Sequence, residues 1–266
     1  LLGAYGFLLD WYLQQYTRGD LTKHASGRHP RVFQDTLGDW RLTSAERKRI
    51  LVTHIFGVDI DSQAVETTKL SLLLKVLEGE NSESIVTTLR LFHERALPDL
   101  SSNIKCGNSL IAPDFYTEFG FDASDRDRLA TINAFDWKAE FPQVFQPASS
   151  SRKTSRDAGG FDAVIGNPPY LGLDDTWGQG DDRQRYIKNH YEHVYRDKTD
   201  VLFYFLAKAV EISKGSVGFI VSRAFLEAYK ADKLRAWLAR SCTVREVVDF
   251  RSFPVFPGVG ITTSIL

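Results

Sequence analysis

Apolar positions in this chain alternate between short continuous runs and helical stripes, and the alternation sets the elements it predicts. Residues 1–16 carry Leu2, Phe7, Leu8, Trp11 and Tyr12 at helical spacing and read as a helix with no start signal of its own. Residues 54–60 are an apolar run ending at Asp59 and predict a strand. Asp61 or Ser62 then caps a helix to about Glu78, with Val65, Leu72, Leu73, Val76 and Leu77 as its stripe and Gly79 as its stop. Residues 104–110 predict a third short segment, a strand ending in Gly107-Asn108. Ala163, Val164 and Ile165 predict a buried strand bounded by turn residues. Further along, Thr199 or Asp200 caps a helix to Ser213, closed by Gly215, and a strand follows over 217–221. A helix over 225–240 and an antiparallel strand pair over 244–250 and 261–266 complete the chain, with Phe253-Pro254-Val255-Phe256-Pro257 turning between the last two. Strands alternating with helices predict an α/β fold.

Three stretches interrupt this alternation. Residues 17–49 are polar and rich in Gly, His and Arg, with one short helix from Ser44. Their basic residues Arg28, Arg31, Arg41, Arg47, Lys48 and Arg49 suit phosphate contacts, but a solvated loop is the commoner meaning of such a run. Residues 113–160 combine aromatic pieces (Phe115, Tyr116, Phe119, Phe121, Phe135, Trp137) with a Ser/Arg/Gly-rich link over 147–160. In residues 171–198, Arg183, Arg185 and Lys188 interleave with Tyr186, Tyr191 and Tyr195, which fits a flexible nucleic-acid-facing flap and equally an ordinary surface loop.

Composition narrows the class. The 266 residues make one large α/β domain or two small ones, and 43% hydrophobic with 25% charged residues reads as globular. No apolar run nears the ~20 residues of a membrane span, and no signal peptide opens the chain, so a cytoplasmic protein is expected. Cys106 and Cys242 stand alone, without disulfide or zinc spacing, and no metal is expected. A net charge of −1 lacks the basic excess of a protein whose main task is to grip phosphates, so most backbone contacts to any nucleic acid are expected elsewhere in the protein. The chain opens Leu1-Leu2 and holds no methionine, which leads us to expect an internal piece of a longer protein.

The candidate chemistry gathers after the 161–165 strand, in Gly166-Asn167-Pro168-Pro169-Tyr170. Gly166 permits a close approach, Asn167 before proline is pushed to extended geometry, and the two prolines have fixed φ and no N–H. The result is a stiff corner at a strand's carboxyl end, where ligands bind in open α/β sheets. It offers an amide side chain, unpaired carbonyls and an aromatic ring. A planar exocyclic amine is a poor nucleophile because its lone pair is delocalised. The Asn167 side-chain oxygen and the Pro168 carbonyl, gripping its N–H groups, would favour a tetrahedral nitrogen. Tyr170 would stack on the base, a contact worth ~1–3 kcal/mol. The competing reading is a Pro-Pro turn with Tyr170 capping the core. Asp59, at a strand end, suits ribose hydroxyls, or else caps the next helix, although Asp61 already fills that role. Ile60 belongs beside a cofactor base or in the core. Asn108 reads an adenine edge or serves as a turn residue.

Asp59 after one strand, Asn108-Ser109 after the next and Asn167 to Tyr170 after a third resemble, in that order, the amino-group DNA methyltransferases. The nearest likeness is to the gamma-class N6-adenine methyltransferase domain of type IIG restriction–modification enzymes. That resemblance implies a Rossmann-like class I sheet with helices on both faces, S-adenosylmethionine as cofactor, and residues 1–266 as one catalytic domain with the three stretches as excursions. It implies cofactor contacts at Asp59, Ile60 and Asn108. Catalysis would lie at Asn167, Pro168, Pro169 and Tyr170, with Phe256 stacking on the other face of a flipped adenine. Asn108 stands where many relatives carry an acid. Double-stranded DNA is the implied partner, with a nuclease domain upstream and a target-recognition domain downstream, in a bacterial or archaeal cytoplasm. The family's first strand and glycine-rich first motif should lie just before Leu1, so the chain as given is expected to bind S-adenosylmethionine weakly or not at all. Glutamine-N5 methyltransferases of release factors and guanine-N2 methyltransferases of ribosomal RNA share the Asn-Pro-Pro-Tyr motif and remain rivals. So does a catalytically inert DNA-recognition module. Cytosine C5 chemistry is excluded, because neither Cys106 nor Cys242 follows a proline.

Overall fold

A computed structural model describes residues 1–78, 98–122, 124–146, 159–256 and 261–266. The chain forms two compact units, Leu1–Gly107 and Asn108–Leu266.

In the first unit, α1 (Leu2–Arg18) and α2 (Leu21–Ala25) precede a hairpin of β1 (Val32–Gln34) and β2 (Trp40–Leu42). Then come α3 (Ser44–His54), β3 (Gly57–Asp59), α4 (Ser62–Leu77) and β4 (Ile104–Cys106), with β3 and β4 parallel. Tyr5, Ile50, Leu51, Leu72 and Val76 are fully buried in its core. The face of α1 differs in part from expectation: Leu8 and Tyr12 pack on the core as read, but the buried residues are Tyr5 and Tyr16, and Phe7 is 70% exposed. Strand β3 is shorter than the predicted 54–60, because α3 runs on through His54, with Ile55 as its C-cap. The polar stretch 17–49 is folded. Arg41 pairs with Asp35, Arg49 with Glu46, and Arg47 donates to the Val76 and Glu78 carbonyls. These cations are thus engaged within the chain, as an ordinary folded surface stretch would have them. Asp61 caps α4 by accepting from Gln63 N–H at 2.8 Å. The predicted stop at Gly79 lies outside the described residues.

The second unit starts with short helices α5 (Asp114–Glu118), α6 (Arg126–Ile132), α7 (Trp137–Glu140) and α8 (Pro142–Phe145). Next come β5 (Phe161–Gly166), α9 (Leu173–Trp177), α10 (Asp182–His190), α11 (Leu202–Ile212) and β6 (Ser213–Ser222). The unit closes with α12 (Ala224–Glu227), a 3-10 turn over Tyr229–Ala231, α13 (Asp232–Ser241), β7 (Val248–Asp249) and β8 (Thr263–Ile265). The sheet order is β5-β6-β8-β7, with β5 and β6 parallel and β8 antiparallel to both its neighbours. The expected antiparallel pair is therefore present, although shorter than its apolar runs. Gly215 does not close α11. It lies inside β6, where an added Cβ would collide with the Asp162 carbonyl.

Two other expectations change. The helix over 225–240 is broken at Ala228, whose ψ of 130° leaves the helical region. The stretch 171–198 is no loose flap: α9 and α10 fill much of it, and Tyr186, Ile187 and Tyr191 are buried in the core. Its arginines are engaged, Arg183 bidentately with Asp181 at 2.8–2.9 Å and Arg185 with Asp182. In the 113–160 stretch, Phe115 and Phe141 are fully buried, and Phe135, Trp137, Phe141, Phe145 and Phe161 form a chain of ring contacts. Most of the predicted 147–160 link lies outside the described residues. No helix of the described residues is long and apolar enough to cross a membrane.

Candidate active site

Strand β5 runs parallel to β6, with Val164 opposite Val217, Ile165 opposite Gly218 and Gly166 opposite Phe219. Side chains alternate across a strand, and here the two faces differ. Val164 packs on the core, whereas Ala163 is exposed and Ile165 is 56% exposed. The expected fully buried strand is thus half-buried. At its end, a Cβ on Gly166 would lie 2.5 Å from Cζ of Phe219, whose ring is 5% exposed. Glycine lets the strand cross a core aromatic and emerge as a corner.

Beyond Gly166 the backbone emerges with Asn167 exposed, Pro168 buried, Pro169 exposed and Tyr170 half-buried. The Tyr170 hydroxyl lies 3.0 Å from Asn167 Oδ1 and 3.2 Å from the Ile220 carbonyl, so its one proton is shared between two acceptors. That contact orients the carboxamide oxygen and leaves it a second lone pair. Burial, and then the negative charge of Asp200, push the Tyr170 phenol above its ordinary pKa.

After Tyr170 the chain returns along residues 199–201. Gly172 and Asp200 form an antiparallel bridge, Val201 N–H donates to the Leu171 carbonyl at 2.9 Å, and Leu173 N–H donates to the Thr199 carbonyl at 3.0 Å. Asp200 Oδ1 accepts from Leu202 N–H at 3.0 Å at the start of α11. Burial raises its pKa to about 6, against the pull of nearby backbone N–H groups. The sequence reading put Thr199 or Asp200 at the cap of this helix; the N-cap position is Val201, and Asp200 reaches Leu202 N–H from one residue before it.

The remaining candidates are placed as follows. Asp59 ends β3 and is exposed; its Oδ1 accepts from Asp61 N–H at 2.9 Å, and its carbonyl accepts from Gly107 N–H at 2.8 Å. Ile60 beside it is 56% exposed, so it is not a core residue. Asn108 does not continue the predicted strand, since β4 stops at Cys106. It is 5% exposed, bridges Ala134, and its Oδ1 accepts from Leu110 N–H at 3.1 Å, which is the turn role. Phe256 is half-buried, and among the described residues no ring contact joins it to Tyr170; Pro257 lies outside them. The structure therefore brings Asn167, Tyr170 and the Ile220 carbonyl together, with Leu171 and Gly172 paired to the 199–201 segment. Among the described residues no group of three or more His, Cys, Asp or Glu side chains is arranged to hold a metal.

Comparison with known proteins gives consistent relationships. The family described as Eco57I restriction-modification methylase matches residues 53–256. The type II restriction enzyme and methyltransferase RM.Eco57I of Escherichia coli is 26% identical over 268 residues, covering 100% of this chain and 23% of that protein. The adenine-specific methyltransferase PglX of Streptomyces coelicolor is 24% identical over 229 residues, covering 83% of this chain and 17% of that protein. The chain thus spans under a quarter of the length of these curated relatives. Among solved structures, the DrdV–DNA complex resembles it in fold, with a TM-score of 0.50 and 14% identity over 84% of this chain and 21% of that one.

Proposed function

The chain belongs to the Eco57I restriction-modification methylase family, and from that premise we propose that it carries the methyl-transfer site of a DNA adenine-N6 methyltransferase within a restriction–modification protein. One observation carries this reading. The exposed Asn167 carboxamide stands at the carboxyl end of β5, with its oxygen oriented by the Tyr170 hydroxyl, on a corner stiffened by the buried Pro168. Among the described residues no backbone N–H pairs with the Pro168 carbonyl. Two acceptors on a rigid corner can take both N–H groups of an adenine amine and favour the tetrahedral nitrogen that attacks. They need little reorganisation as charge develops. Half-buried Tyr170 supplies a stacking face for the base, and Phe256 a second one from the turn that follows β7. Flipping the adenine out of its duplex costs a few kcal/mol, which the pocket offsets.

S-adenosylmethionine, when bound, supplies the electrophilic methyl group. The first unit fits that cofactor at the end of β3. Asp59 is exposed and has a second carboxylate oxygen beyond the one used on Asp61, and Ile60 offers an unburied apolar face beside it. In the second unit, Asn108 keeps its amide N–H₂ as a donor while its oxygen holds the turn. The parallel pair β3–β4 of the first unit and the β5–β6 pair of the second, with antiparallel β8 beside β6, support a Rossmann-like class I fold. Relatives more than four times longer leave room for the nuclease and target-recognition domains that we place before and after this chain in a cytoplasmic protein.

The test is transfer of labelled methyl groups from S-adenosylmethionine to duplex DNA by the full-length protein, followed by identification of the modified base. N6-methyladenine is the expected product. Asn167→Ala should lower the rate by roughly 10²–10³, as for loss of one preorganised hydrogen-bonding group. Undiminished adenine methylation by that variant would overturn the assignment.

A further inference from the structure

We propose that Lys198 and Arg251 are DNA phosphate contacts of the methyl-transfer site: two exposed cations on left-handed backbone at the sheet edge that carries Asn167. This rests on reading Asn167 to Tyr170 as the transfer site.

Among the described residues three non-glycine positions have positive φ: Asn133 at 48°, Lys198 at 53° and Arg251 at 52°. Asparagine tolerates this region, and Asn133 serves as the C-cap of α6. A long cation has no such reason to be there, because its Cβ crowds the following carbonyl and glycine fits better. Outliers of this kind gather where function retains them. Both cations stand on fixed backbone. Residues 250–253 form a turn closed by Phe253 N–H on the Phe250 carbonyl at 2.9 Å, and Arg251 N–H donates to Asp249 Oδ1 at 2.9 Å. Asp249 is held in turn by Arg223 Nε at 3.1 Å. Register places this turn: β7 runs parallel to β6 across β8, and Asp249 stands level with Val221, two residues past the Phe219 that faces Gly166. The turn therefore leaves β7 at the same carboxyl edge where the corner leaves β5, three strand spacings or roughly 14 Å along the sheet. Lys198 lies beside the residues that follow the corner. The Thr199 carbonyl accepts from Leu173 N–H at 3.0 Å, and the Lys198 carbonyl accepts from Lys230 Nζ at 3.2 Å, which adds a third cation. Arg183, Arg185 and Arg196 each have a carboxylate partner. Among the described residues the Lys198 and Arg251 side chains form neither an ion pair nor a hydrogen bond. Their neighbouring carboxylates are engaged, Asp249 as above and Asp197 with the Tyr195 hydroxyl at 3.1 Å. Phe253, two residues after Arg251, is 67% exposed and adds an aromatic surface of the sort nucleic acid covers. Duplex DNA carries one negative charge per ~1.7 Å of axis, and an adenine flipped into the corner brings its strand's phosphates to this edge.

The experiment follows binding of the full-length protein to a fluorescein-labelled duplex that carries its site, located beforehand by nuclease footprinting. Anisotropy gives Kd from about 50 to 200 mM KCl. Lys198→Gly and Arg251→Gly each remove one cation and suit the backbone, so neither should melt below the wild type. Each should raise Kd on the order of 10-fold at about 50 mM and flatten the slope of log Kd against log salt by about 0.9, the double variant by about 1.8. Asparagine at either position, also tolerated at this φ, should do the same and replaces glycine if glycine loosens a loop. Lys198→Arg and Arg251→Lys keep the charge and should keep the wild-type slope. A wild-type slope in either glycine variant, or a slope flattened equally by the charge-keeping variants, overturns the proposal. Failure of the underlying reading looks different: the full-length protein methylates no adenine, while both glycine variants still flatten the slope.

Discussion

Gly166 and Phe219 face each other across the parallel β5–β6 pair so closely that a Cβ on the glycine would lie 2.5 Å from Cζ and 2.7 Å from Cε1 of the ring. Phe219 is buried in the same core as Leu202, Leu206 and Phe225, and has no open side to retreat to. Gly166→Ala should therefore cost about 1–3 kcal/mol, as for overpacking, and lower the melting temperature by several degrees. Methylation should fall further than stability, because the displaced strand end carries Asn167. Shortening the ring with Phe219→Leu should recover part of the loss in the double variant. Calorimetry decides it: an unchanged melting temperature in Gly166→Ala means the ring yields freely.

The Tyr170 hydroxyl has work separate from its ring. Tyr170→Phe keeps the packing on the core and removes the donor that orients Asn167 Oδ1. One neutral hydrogen bond is worth about 0.5–1.5 kcal/mol, so methylation should drop roughly 2- to 12-fold with little change in melting temperature. Tyr170→Ala removes the stacking face as well and should lose a further ~1–3 kcal/mol of transition-state stabilisation. Equal rates for the Phe variant and the wild type would show that Asn167 is oriented without the phenol.

Backbone chemistry made the corner readable from sequence. Two prolines and a glycine act through φ, missing N–H groups and missing Cβ atoms, and these effects do not depend on what lies around them. The same holds for Asp61, which caps α4 as read. What depended on neighbours was not readable. Tyr5 rather than Phe7 faces the core of the first unit, although both fit a helical stripe. The break at Ala228 involves neither glycine nor proline. Polar composition hid α2 and α10, whose short spans start from the acidic caps Asp20 and Asp181. The arginines of the 171–198 flap reading were hidden in another way: Arg183 sits two residues from the acid that binds it, and charge counting treats both as free.

In the first unit, the 17–49 stretch is fastened by Glu46, which is 5% exposed and accepts from Tyr16 Oη at 2.5 Å and from Arg49 at 2.6 and 2.8 Å. Burial pushes its carboxyl up, but hydrogen bonds from Arg49 and Tyr16 together prevail and hold it below the ordinary range. A depressed carboxylate stabilises the fold above its unfolded pKa, and that contribution disappears as pH falls through the folded value. Thermal stability should therefore decline as pH is lowered below about 4.5. Glu46→Gln should cost roughly 1.5–3 kcal/mol at pH 7 and flatten this acid dependence, as seen in melting curves from pH 3 to 7. A Gln variant as acid-sensitive as the wild type would place the dependence on other groups.

Asp200 has the opposite sign. Its folded pKa, raised to about 6 by burial, lies above that of a carboxyl in the unfolded chain, ~3.9. The folded state thus holds this proton more tightly, and the group's favourable contribution is present below the unfolded value and lost as pH rises through the folded one. Near pH 8 the ionised carboxylate is a net burden on the fold. Asp200→Asn, which keeps an oxygen acceptor for Leu202 N–H, should consequently melt higher than the wild type at pH 8 and show no such advantage at pH 4. Paired melting curves at the two pH values test this, and a variant less stable than the wild type at pH 8 would show that the ionised carboxylate supports the fold.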